Sequence, residues 1–375
     1  MKLKVSKESL FEALSIASRF TTSRAHLPIL GNILLEAKEN KLNISATNLE
    51  TSVSLSIAAK IEKEGKITIP SKIIYEVVSN LGSESLELEV EKEQILLKNE
   101  NFSSKISGIN ASDFPTVPNS IGRRAQNIDS SLVTLSLPKV LYSVSSDETR
   151  PTLTGVLLIF AKGKLAFVAT DGFRLSKKVV TLKNINVKED MKIILPKAVM
   201  AELGRLIKEE KISFEYKKDD KQIVFKIGDI YLSSRVIEGD FPDFEKIIPG
   251  YSKLSVELDK NDFLQGVKLA SVFARDSSNV VKFQIKENSF TLAAESSQSG
   301  SQENKVDAKI TFEEKDVLDE KKEFIIAFNC KFVEEFLNSV EGSSVEVKFN
   351  DSNSPGVFLD AEDKDLLHLI MPVRI

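Results

Sequence analysis

The chain has 375 residues, of which 42% are hydrophobic and 28% are charged, and its formal net charge is −4. This balance is typical of globular domains and argues against a disordered or membrane-embedded chain, and an acidic total gives no sign of a nucleic-acid binder. The single cysteine, Cys330, excludes an internal disulfide framework, and the length favours two or three domains.

The predicted elements begin with a helix in VSKESLFEALSIA, near the start of the chain. A β-hairpin follows, because residues 31–50 read as two alternating strands around a Lys-Glu-Asn turn. Residues 67–90 then read as a short strand, a helix with Pro70 in its first turn, and another alternating strand. This stretch ends near Asp-Phe-Pro at 113–115, where the proline stops a strand.

The same order of elements is written twice more. The leading helices are LSLPKVLYSVSS and ELDKNDFLQGVKLA, the hairpins lie at 155–173 and 279–297, and Asp-Phe-Pro returns at 240–242. Corresponding positions recur at nearly constant intervals, and they are Leu10, Val140 and Phe263; Ala46, Ala169 and Ala293; and Pro70, Pro196 and Asn329. Asn329 is a good helix N-cap, which supports this alignment of the three copies.

The repeats predict an α+β protein made of three similar domains, each with two helices and antiparallel sheets. The expected boundaries are 1–122, 123–250 and 251–375. Units of this size are too large for a solenoid repeat, and symmetric arrangements of strand-edged units tend to close on themselves. A ring is therefore the expected assembly.

The sequence shows no pattern that predicts catalysis or a metal site. Its two histidines belong to no recognisable motif, and no Cys/His set has metal-ligand spacing. Asp113, Asp240 and Asp171, which precedes Gly172, stand where turns require aspartate, so we interpret them as turn formers. Cys330 lies in an apolar segment and is expected to pack in the core. No catalytic residue, metal or cofactor is expected.

Four motifs give the chain a resemblance to a known family: SRAHLPILGNILLEA, FVATDGFRLS, EGDFPDFEKIIP and the C-terminal MPVRI. With the three repeats, they resemble the bacterial sliding clamps, the β subunits of DNA polymerase III, over the whole chain. The resemblance implies a head-to-tail homodimer that closes into a six-domain ring around duplex DNA and serves as a processivity factor. The implied partners are double-stranded DNA, the replicative polymerase, the clamp loader and other proteins with a clamp-binding motif.

The resemblance also implies a peptide-binding cleft between the second and third domains. Many relatives have His where Phe173 stands and Arg where Lys246 stands. Because Pro372 cannot donate to a sheet, the chain should leave its last strand near Met371. The residues that match the family's cleft are Leu153, Thr170, Gly172, Phe173, Arg174, Leu175, Pro242, Lys246, Ile247, Met371, Pro372, Val373 and Arg374.

Two further sets of residues are expected at interfaces. Arg24 and Arg150 resemble positions that meet the DNA backbone, and charge alone adds Lys197, Arg205 and Lys208. By family position, the subunit interface should contain Ile106, Val272 and Phe273.

The sequence also bears on the cellular location and on other classes of function. The N-terminus lacks the apolar run of a secretory signal, which favours a cytoplasmic location. Two other function classes stay open on the residues alone: a repeat-built scaffold without a role in replication, and a hydrolase that acts on a polymer. The assembly state and a turnover assay distinguish them from a clamp.

Overall fold

The computed structural model describes residues 1–22, 27–82, 84–182, 190–208, 210–314 and 317–374. Arg24 and His26 lie outside the described residues. The chain divides into two compact units. The first unit consists of Met1–Ser130 with Arg205–Val236, and the second consists of Ser131–Gly204 with Ile237–Ile375.

Strands dominate the described part of the chain. In chain order they are β1 (Lys2–Ser6), β2 (Asn32–Lys38), β3 (Lys41–Thr47), β4 (Thr51–Lys63), β5 (Gly65–Pro70), β6 (Ser85–Glu91), β7 (Gln94–Lys98), β8 (Ser103–Ser107), β9 (Gln126–Asp129), β10 (Gly155–Ala161), β11 (Lys164–Thr170), β12 (Arg174–Thr181), β13 (Met191–Pro196), β14 (Lys211–Lys217), β15 (Gln222–Ile227), β16 (Ile230–Arg235), β17 (Leu254–Asp259), β18 (Val280–Lys286), β19 (Ser289–Ser296), β20 (Gly300–Val306), β21 (Ala308–Phe312), β22 (Phe324–Asn329), β23 (Ser344–Phe349), β24 (Gly356–Asp360) and β25 (Leu366–Ile370). The α-helices are α1 (Lys7–Ser18), α2 (Ser71–Ser79), α3 (Ser130–Ser136), α4 (Lys197–Leu206), α5 (Lys260–Ala274) and α6 (Cys330–Ser339).

The first unit is built on one antiparallel sheet of twelve strands. Its main path runs β8-β7-β6-β1-β4-β16-β15-β14-β9, and β3 joins β2 and β5 to β4. Helices α1 and α2 pack against each other, and α1 also covers β3 and β4. The side chains of Leu10, Leu14 and Ile74 are fully buried between these elements. Burial of each such side chain stabilises the fold by about 1.5–3 kcal/mol.

The second unit contains two antiparallel sheets. A nine-stranded sheet runs β13-β10-β11-β12-β25-β24-β23-β17-β21, and a four-stranded sheet runs β20-β19-β18-β22. Helix α5 packs on β19, β20 and α6. Phenylalanine rings fill this core, and Phe283 lies 5.7 Å from Phe263 and 5.3 Å from Phe290 in edge-to-face contacts. Such aromatic pairs contribute stability beyond their burial.

The hairpin predictions and the helix cap predicted at Asn329 are confirmed, whereas Pro70 is the last residue of β5 and precedes α2 instead of lying in its first turn. The first two hairpins turn with positive φ at both central residues, Glu39 and Asn40 in one and Lys162 and Gly163 in the other, as two-residue turns of primed type require. The side chain of Asn329 accepts a hydrogen bond from the Lys331 amide at 3.0 Å, so it caps α6. Cys330, the next residue, is fully buried, and burial raises the pKa of its thiol.

One predicted helix is wrong in its extent. The sequence predicts a leading helix in LSLPKVLYSVSS, but α3 ends at Ser136 and is followed by short 3-10 turns at Leu137–Lys139 and Leu141–Ser143. Pro138 explains the break, because proline has no amide hydrogen to donate and its ring clashes with the carbonyl four residues earlier. The second copy therefore begins with a shorter helix than the others.

Two strand pairs join successive repeats. In the first unit β4 pairs antiparallel with β16, and in the second unit β12 pairs antiparallel with β25. We call these the first junction and the second junction. At each junction, the strand that follows a predicted hairpin, β4 or β12, pairs with the last strand of the next repeat, β16 or β25.

Candidate functional site

A tight turn between β11 and β12 presents the most exposed large apolar residue of the predicted cleft, Phe173. Asp171 Oδ1 accepts hydrogen bonds from the amides of Phe173 at 2.9 Å and Arg174 at 3.0 Å. Thr170 Oγ1 donates to the Arg174 carbonyl at 2.6 Å and accepts from the Gly172 amide at 3.1 Å. These bonds fix the turn, and Phe173 at its tip is 59% exposed. Asp171 therefore forms the turn, as the sequence predicts.

Arg174 ties this turn to helix α6 although its side chain is only 8% exposed. Its guanidinium pairs with Asp171 at 3.1 Å and with Glu335, and it donates to the Tyr142 carbonyl at 2.6 Å. It also lies 4.3 Å from the centre of the Phe332 ring. A buried arginine with these partners fixes position, because charge-assisted hydrogen bonds are short and directional. Sequence analysis missed Glu335, which lies 161 residues away and belongs to no motif.

Arg150 contacts the same turn. Its guanidinium forms an ion pair with Asp147 at 3.0 Å and donates to the Asp171 carbonyl at 3.2 Å. Hydrogen bonds from Thr149 and Arg150 lower the pKa of Asp147. Gly172 has a φ of +93°, a backbone conformation that residues with a Cβ rarely adopt, so this turn favours glycine. Arg150, expected at DNA, thus also borders the predicted cleft.

The C-terminal segment runs beside the turn. Strand β25 ends at Ile370, which confirms that the chain leaves the ladder near Met371. The Met371 amide donates to the Phe173 carbonyl at 2.8 Å, and the Val373 amide donates to the Ala327 carbonyl at 2.8 Å. These two bonds hold the segment on both sides of Pro372.

Three exposed apolar side chains form what we call the apolar patch: Phe173, Ile247 and Met371, which are 59%, 46% and 39% exposed. Phe173 and Met371 are joined by the hydrogen bond above. Ile247 ends a 3-10 helix, Phe244–Ile247, whose first residue packs in one core cluster with Leu175. Exposed apolar groups gathered in one region mark interaction sites more often than isolated ones do.

The other predicted cleft residues surround or support the patch. Leu153 and Leu175 are buried, so their side chains do not line its surface. Lys246 is exposed and forms an ion pair with Asp243 at 2.9 Å, which raises the pKa of the lysine. Exposed ion pairs contribute little to stability. The remaining members are exposed Pro242 and Arg374 and half-buried Pro372 and Val373.

His368 lies on β25 and belongs to the second junction, where it pairs with Ser176. It is fully buried, its Nδ1 lies 2.8 Å from Ser176 Oγ, and its ring stacks on Phe336 with centroids 5.3 Å apart. Burial lowers its pKa from 6.5 to about 3, and the charge of Arg174 acts in the same direction. The imidazole is therefore neutral in the folded protein at neutral pH.

We expect His368 to make the second unit less stable in acid. Because the folded pKa lies below the unfolded value, the unfolded chain binds more protons between about pH 3 and 6.5, and stability falls as the pH drops through this window. The loss is about 1.4 kcal/mol per pH unit. Urea unfolding between pH 7 and pH 5 should show a shallower pH dependence for His368→Asn than for the unchanged protein. Equal slopes would contradict this assignment.

The predicted interface residues differ in how they are placed. Val272 on α5 is 54% exposed, and Leu269, one turn earlier, is 47% exposed. Phe273 is half-buried and packs against the core beneath α5. Ile106 is only 5% exposed, so its side chain belongs to the core of its own unit. Its backbone, however, lies on β8, the end strand of the twelve-stranded sheet.

The candidate DNA-facing cations are only partly described. Arg24 lies outside the described residues, and Lys197 is exposed at the first residue of α4. Arg205 and Lys208 are exposed at the other end of this helix and line one cavity. Their placement on a single helix end is compatible with a phosphate-facing surface.

Two features that would indicate other functions are absent from the described residues. No group of three or more His, Cys, Asp or Glu side chains in that part of the chain is arranged to hold a metal ion. No helix among those residues is both long and apolar enough to cross a bilayer.

Comparison with known families finds a match over nearly the entire chain. Models of the DNA polymerase III beta subunit match with their N-terminal domain at residues 1–118, central domain at 127–243 and C-terminal domain at 245–374. Beta sliding clamps from Synechocystis and Synechococcus elongatus are 28% and 29% identical, and each alignment covers 100% of both chains.

Solved structures of similar fold lead to the same family. The DNA polymerase III beta subunit of Thermotoga maritima superposes with a TM-score of 0.90 at 28% identity, covering 100% of this chain and 99% of that one. The DNA polymerase sliding clamp of Bacillus subtilis gives 0.93 at 25% identity with the same coverage.

Proposed function

The chain belongs to the DNA polymerase III beta subunit family, and from this membership we propose how its surfaces perform the work of a sliding clamp. As a member of the family it is a DNA sliding clamp and processivity factor and not a catalytic subunit. The proposal concerns the residues: which edges close the ring, which patch binds partners and which cations meet DNA. The three family matches also support the expected domain boundaries near residues 122 and 250.

The observation that carries the proposal is a pair of end strands. In the three repeats, the strand that follows the predicted hairpin is β4, β12 or β20. Strand β4 is paired at the first junction and β12 at the second. In strand order β20 ends the four-stranded sheet and β8 ends the twelve-stranded sheet. By the repeat, β20 of one subunit pairs with β8 of its partner. Because the two edges differ, the contact is head-to-tail and a dimer satisfies both edges of each subunit.

The internal junctions also predict the register of this subunit contact. Between the second strand of each hairpin and the strand that follows it, Ala46 pairs with Val53, Ala169 pairs with Ser176, and Ala293 pairs with Glu303. Across the junctions, Val53 pairs with Leu232 and Ser176 pairs with His368. Leu97, Phe225 and Phe358 are corresponding residues of the three repeats. Leu97 pairs with Ser104, Phe225 pairs with Leu232, and Phe358 pairs with His368. Ser104 is therefore the residue of β8 that corresponds to Leu232 and His368. Glu303 should therefore lie opposite Ser104 of the partner.

A neighbouring pair supports this register. One residue along, Gln302 should face Lys105 of the partner on the same side of the sheet. Oε1 of Gln302 is buried and lacks a hydrogen-bond partner among the residues that the structure describes. Lys105 is exposed. Its ammonium group is a donor that the partner strand can bring to this oxygen, which relieves the cost of a buried unsatisfied acceptor.

A disulfide tests the register. We expect Ser104→Cys with Glu303→Cys to form a covalent dimer under mild oxidation, because directly opposed strand residues place their Cβ atoms within disulfide reach. Non-reducing electrophoresis should show twice the 41.7 kDa chain mass. Cys330 is fully buried and does not interfere. Ser104→Cys with Gln302→Cys points the thiols to opposite faces, and equal cross-linking of this pair would contradict the register.

The apolar patch is the proposed docking site for partner peptides. Phe173, Ile247 and Met371 offer exposed apolar surface on a turn that hydrogen bonds hold rigid. Met suits a site that binds several partners, because its thioether chain repacks readily. Short segments rich in Leu and Phe, from the polymerase and the clamp loader, fit this chemistry. Exposed Lys246 and Arg374 add charge at the margin.

We expect DNA retention to be topological. The chain carries a net charge of −4, and the proposed DNA-facing residues Arg24, Arg150, Lys197, Arg205 and Lys208 supply only local positive charge. Weak phosphate contacts permit sliding, so closure of the ring must prevent release. Clamp loaded on a nicked circle should stay bound through gel filtration and run off after the circle is cut. Equal retention on circular and linear DNA would contradict topological binding.

The proposed location is the cytoplasm, where the DNA of a bacterial cell lies. Membership of the clamp family supports it, because a sliding clamp acts on that DNA.

A further inference from the structure

Two turns occupy the same place in successive repeats. Residues 47–51 lead from β3 into β4 at one end of the first junction, and residues 170–174 lead from β11 into β12 at one end of the second. The repeated alanines Ala46 and Ala169 precede them directly, so the two turns correspond residue by residue. The β11–β12 turn presents Phe173 of the apolar patch, whereas the β3–β4 turn belongs to the first unit.

The β3–β4 turn has the same side-chain hydrogen bonds as the β11–β12 turn. Asn48 Oδ1 accepts hydrogen bonds from the amides of Glu50 at 3.1 Å and Thr51 at 2.8 Å. Thr47 Oγ1 donates to the Thr51 carbonyl at 3.0 Å and accepts from the Leu49 amide at 3.0 Å. Each of these four bonds has its equivalent in the β11–β12 turn, so both backbones are fixed in the same way.

The backbone at the tip of the turn is left-handed in both repeats. Leu49 has a φ of +76° where Gly172 has a φ of +93°. A leucine rarely adopts such a conformation, and it persists only where the surrounding structure holds it. Because the Leu49 side chain is 49% exposed, we attribute this hold to the hydrogen bonds of the turn. The shared frame therefore does not depend on glycine.

The chain that leaves each junction is also held in the same way. The Arg235 amide donates to the Glu50 carbonyl at 2.8 Å, and the Ile237 amide donates to the Ile194 carbonyl at 2.9 Å. These are the equivalents of the two bonds that hold the segment from Met371 beside the β11–β12 turn. The backbone frame of the docking site is thus present at both junctions.

The two frames differ in the side chains that they expose. Glu50 stands where Phe173 stands, Arg235 stands where Met371 stands, and all four residues are exposed. The β3–β4 turn therefore offers a carboxylate and a guanidinium in place of two apolar groups.

The third member of the apolar patch has a polar counterpart as well. Ser120 follows the first Asp-Phe-Pro at the spacing at which Ile247 follows the second, and it is exposed. The next pair along the first junction, Ser52 with Ser233, also differs from the leucine pair of the second junction. These two serines are buried, so they do not meet a partner at the surface.

We infer that Glu50, Ser120 and Arg235 are specificity-determining residues, which keep partner segments off the β3–β4 turn and confine docking to the β11–β12 turn. The inference rests on the proposed function of the apolar patch. A segment rich in Leu and Phe on the β3–β4 turn would remove two charges from water without compensating them, which is costly. Specificity arises from such unfavourable contacts at the wrong site as well as from favourable contacts at the right one.

Transfer of the apolar side chains to the β3–β4 turn tests the inference. The starting protein is the full-length dimer with Phe173→Ala and Met371→Ala, which lacks the natural patch. Adding Glu50→Phe, Ser120→Ile and Arg235→Met should strengthen binding of fluorescein-labelled acetyl-Leu-Ser-Leu-Phe-amide at least about ten-fold in fluorescence anisotropy. In methyl NMR the peptide should shift the signals of Leu49 and leave those of Ile247 unchanged.

The matched control in the same starting protein is Lys60→Met with Glu62→Phe. These exposed residues share one face of β4, about 30 Å along the strand from the turn. Binding by the transfer variant that is no tighter than in this control, or that leaves Leu49 unshifted, overturns the inference. Full-affinity binding by the starting protein is a different result, which overturns the apolar patch itself and the inference with it.

A second comparison does not depend on the folding of the transfer variant. In the otherwise unchanged protein, Phe173→Glu should weaken the peptide at least about ten-fold more than Phe173→Ala, because a carboxylate on this frame excludes an apolar segment. Equal weakening by the two substitutions would show that the charge of Glu50 is not what keeps partners away, and it would overturn the inference.

Discussion

Replacing Leu269 and Val272 together with glutamate should convert the dimer to monomers. Both side chains are exposed on α5 in the single chain, at 47% and 54%, and this helix packs on β20, the strand proposed to pair with the partner. Burying four charges across two contacts without partners costs several kcal/mol per ion. Light scattering should report 41.7 kDa in place of twice that mass.

The matched control is Leu135→Glu, another leucine that is 52% exposed on a helix but lies outside the proposed contact. It should remain a dimer. Phe273 is left unchanged because it packs on the core of its own domain, so its loss would confuse unfolding with dissociation. A Leu269→Glu, Val272→Glu protein that remains dimeric at low micromolar concentration would show that this face of α5 is not the interface.

Removal of Met371–Ile375 should abolish peptide binding while the dimer persists. The deletion takes away Met371, a member of the apolar patch, and the two amide hydrogen bonds that hold the segment beside Phe173 and Ala327. A clamp-binding peptide rich in Leu and Phe should bind the full-length protein with roughly micromolar affinity, about −8 kcal/mol. Fluorescence anisotropy should show at least about a hundred-fold loss, since a few buried residues carry most of the energy of a small interface.

A second variant separates surface chemistry from loss of the segment. Phe173→Ala with Met371→Ala keeps the backbone bonds and should weaken the peptide by a similar factor. Tyr251→Ala removes a side chain that is 67% exposed outside the patch and should bind normally. Peptide binding by the truncated dimer at full-length affinity would place the docking site elsewhere.

The repeated architecture was predictable because its signals are local. Alternating strands, turn residues and helix caps such as Asn329 act within a few residues, so three copies of one pattern give three copies of one fold. Pro138 is a local signal as well: the helical pattern of apolar residues continues across it, but proline ends the helix at Ser136.

The contacts of the candidate site were less predictable because they join distant segments. Glu335 reaches Arg174 across 161 residues, and no pattern in either segment indicates the pair. Leu175 and Ile106 match functional positions of the family, yet only the structure shows that both side chains are buried in the core. Burial depends on the packing of other repeats, which the spacing of residues in one segment does not reveal.

The two unequal end strands, β8 and β20, also give the assembled ring a direction. A dimer closed by a head-to-tail contact has its two-fold axis along the central hole, so the axis carries each subunit onto the other without turning the ring over. The ring therefore has a front and a back, and both copies of Phe173 emerge on the same side. Partner segments bound at the two copies of the apolar patch therefore lie on the same face of the ring.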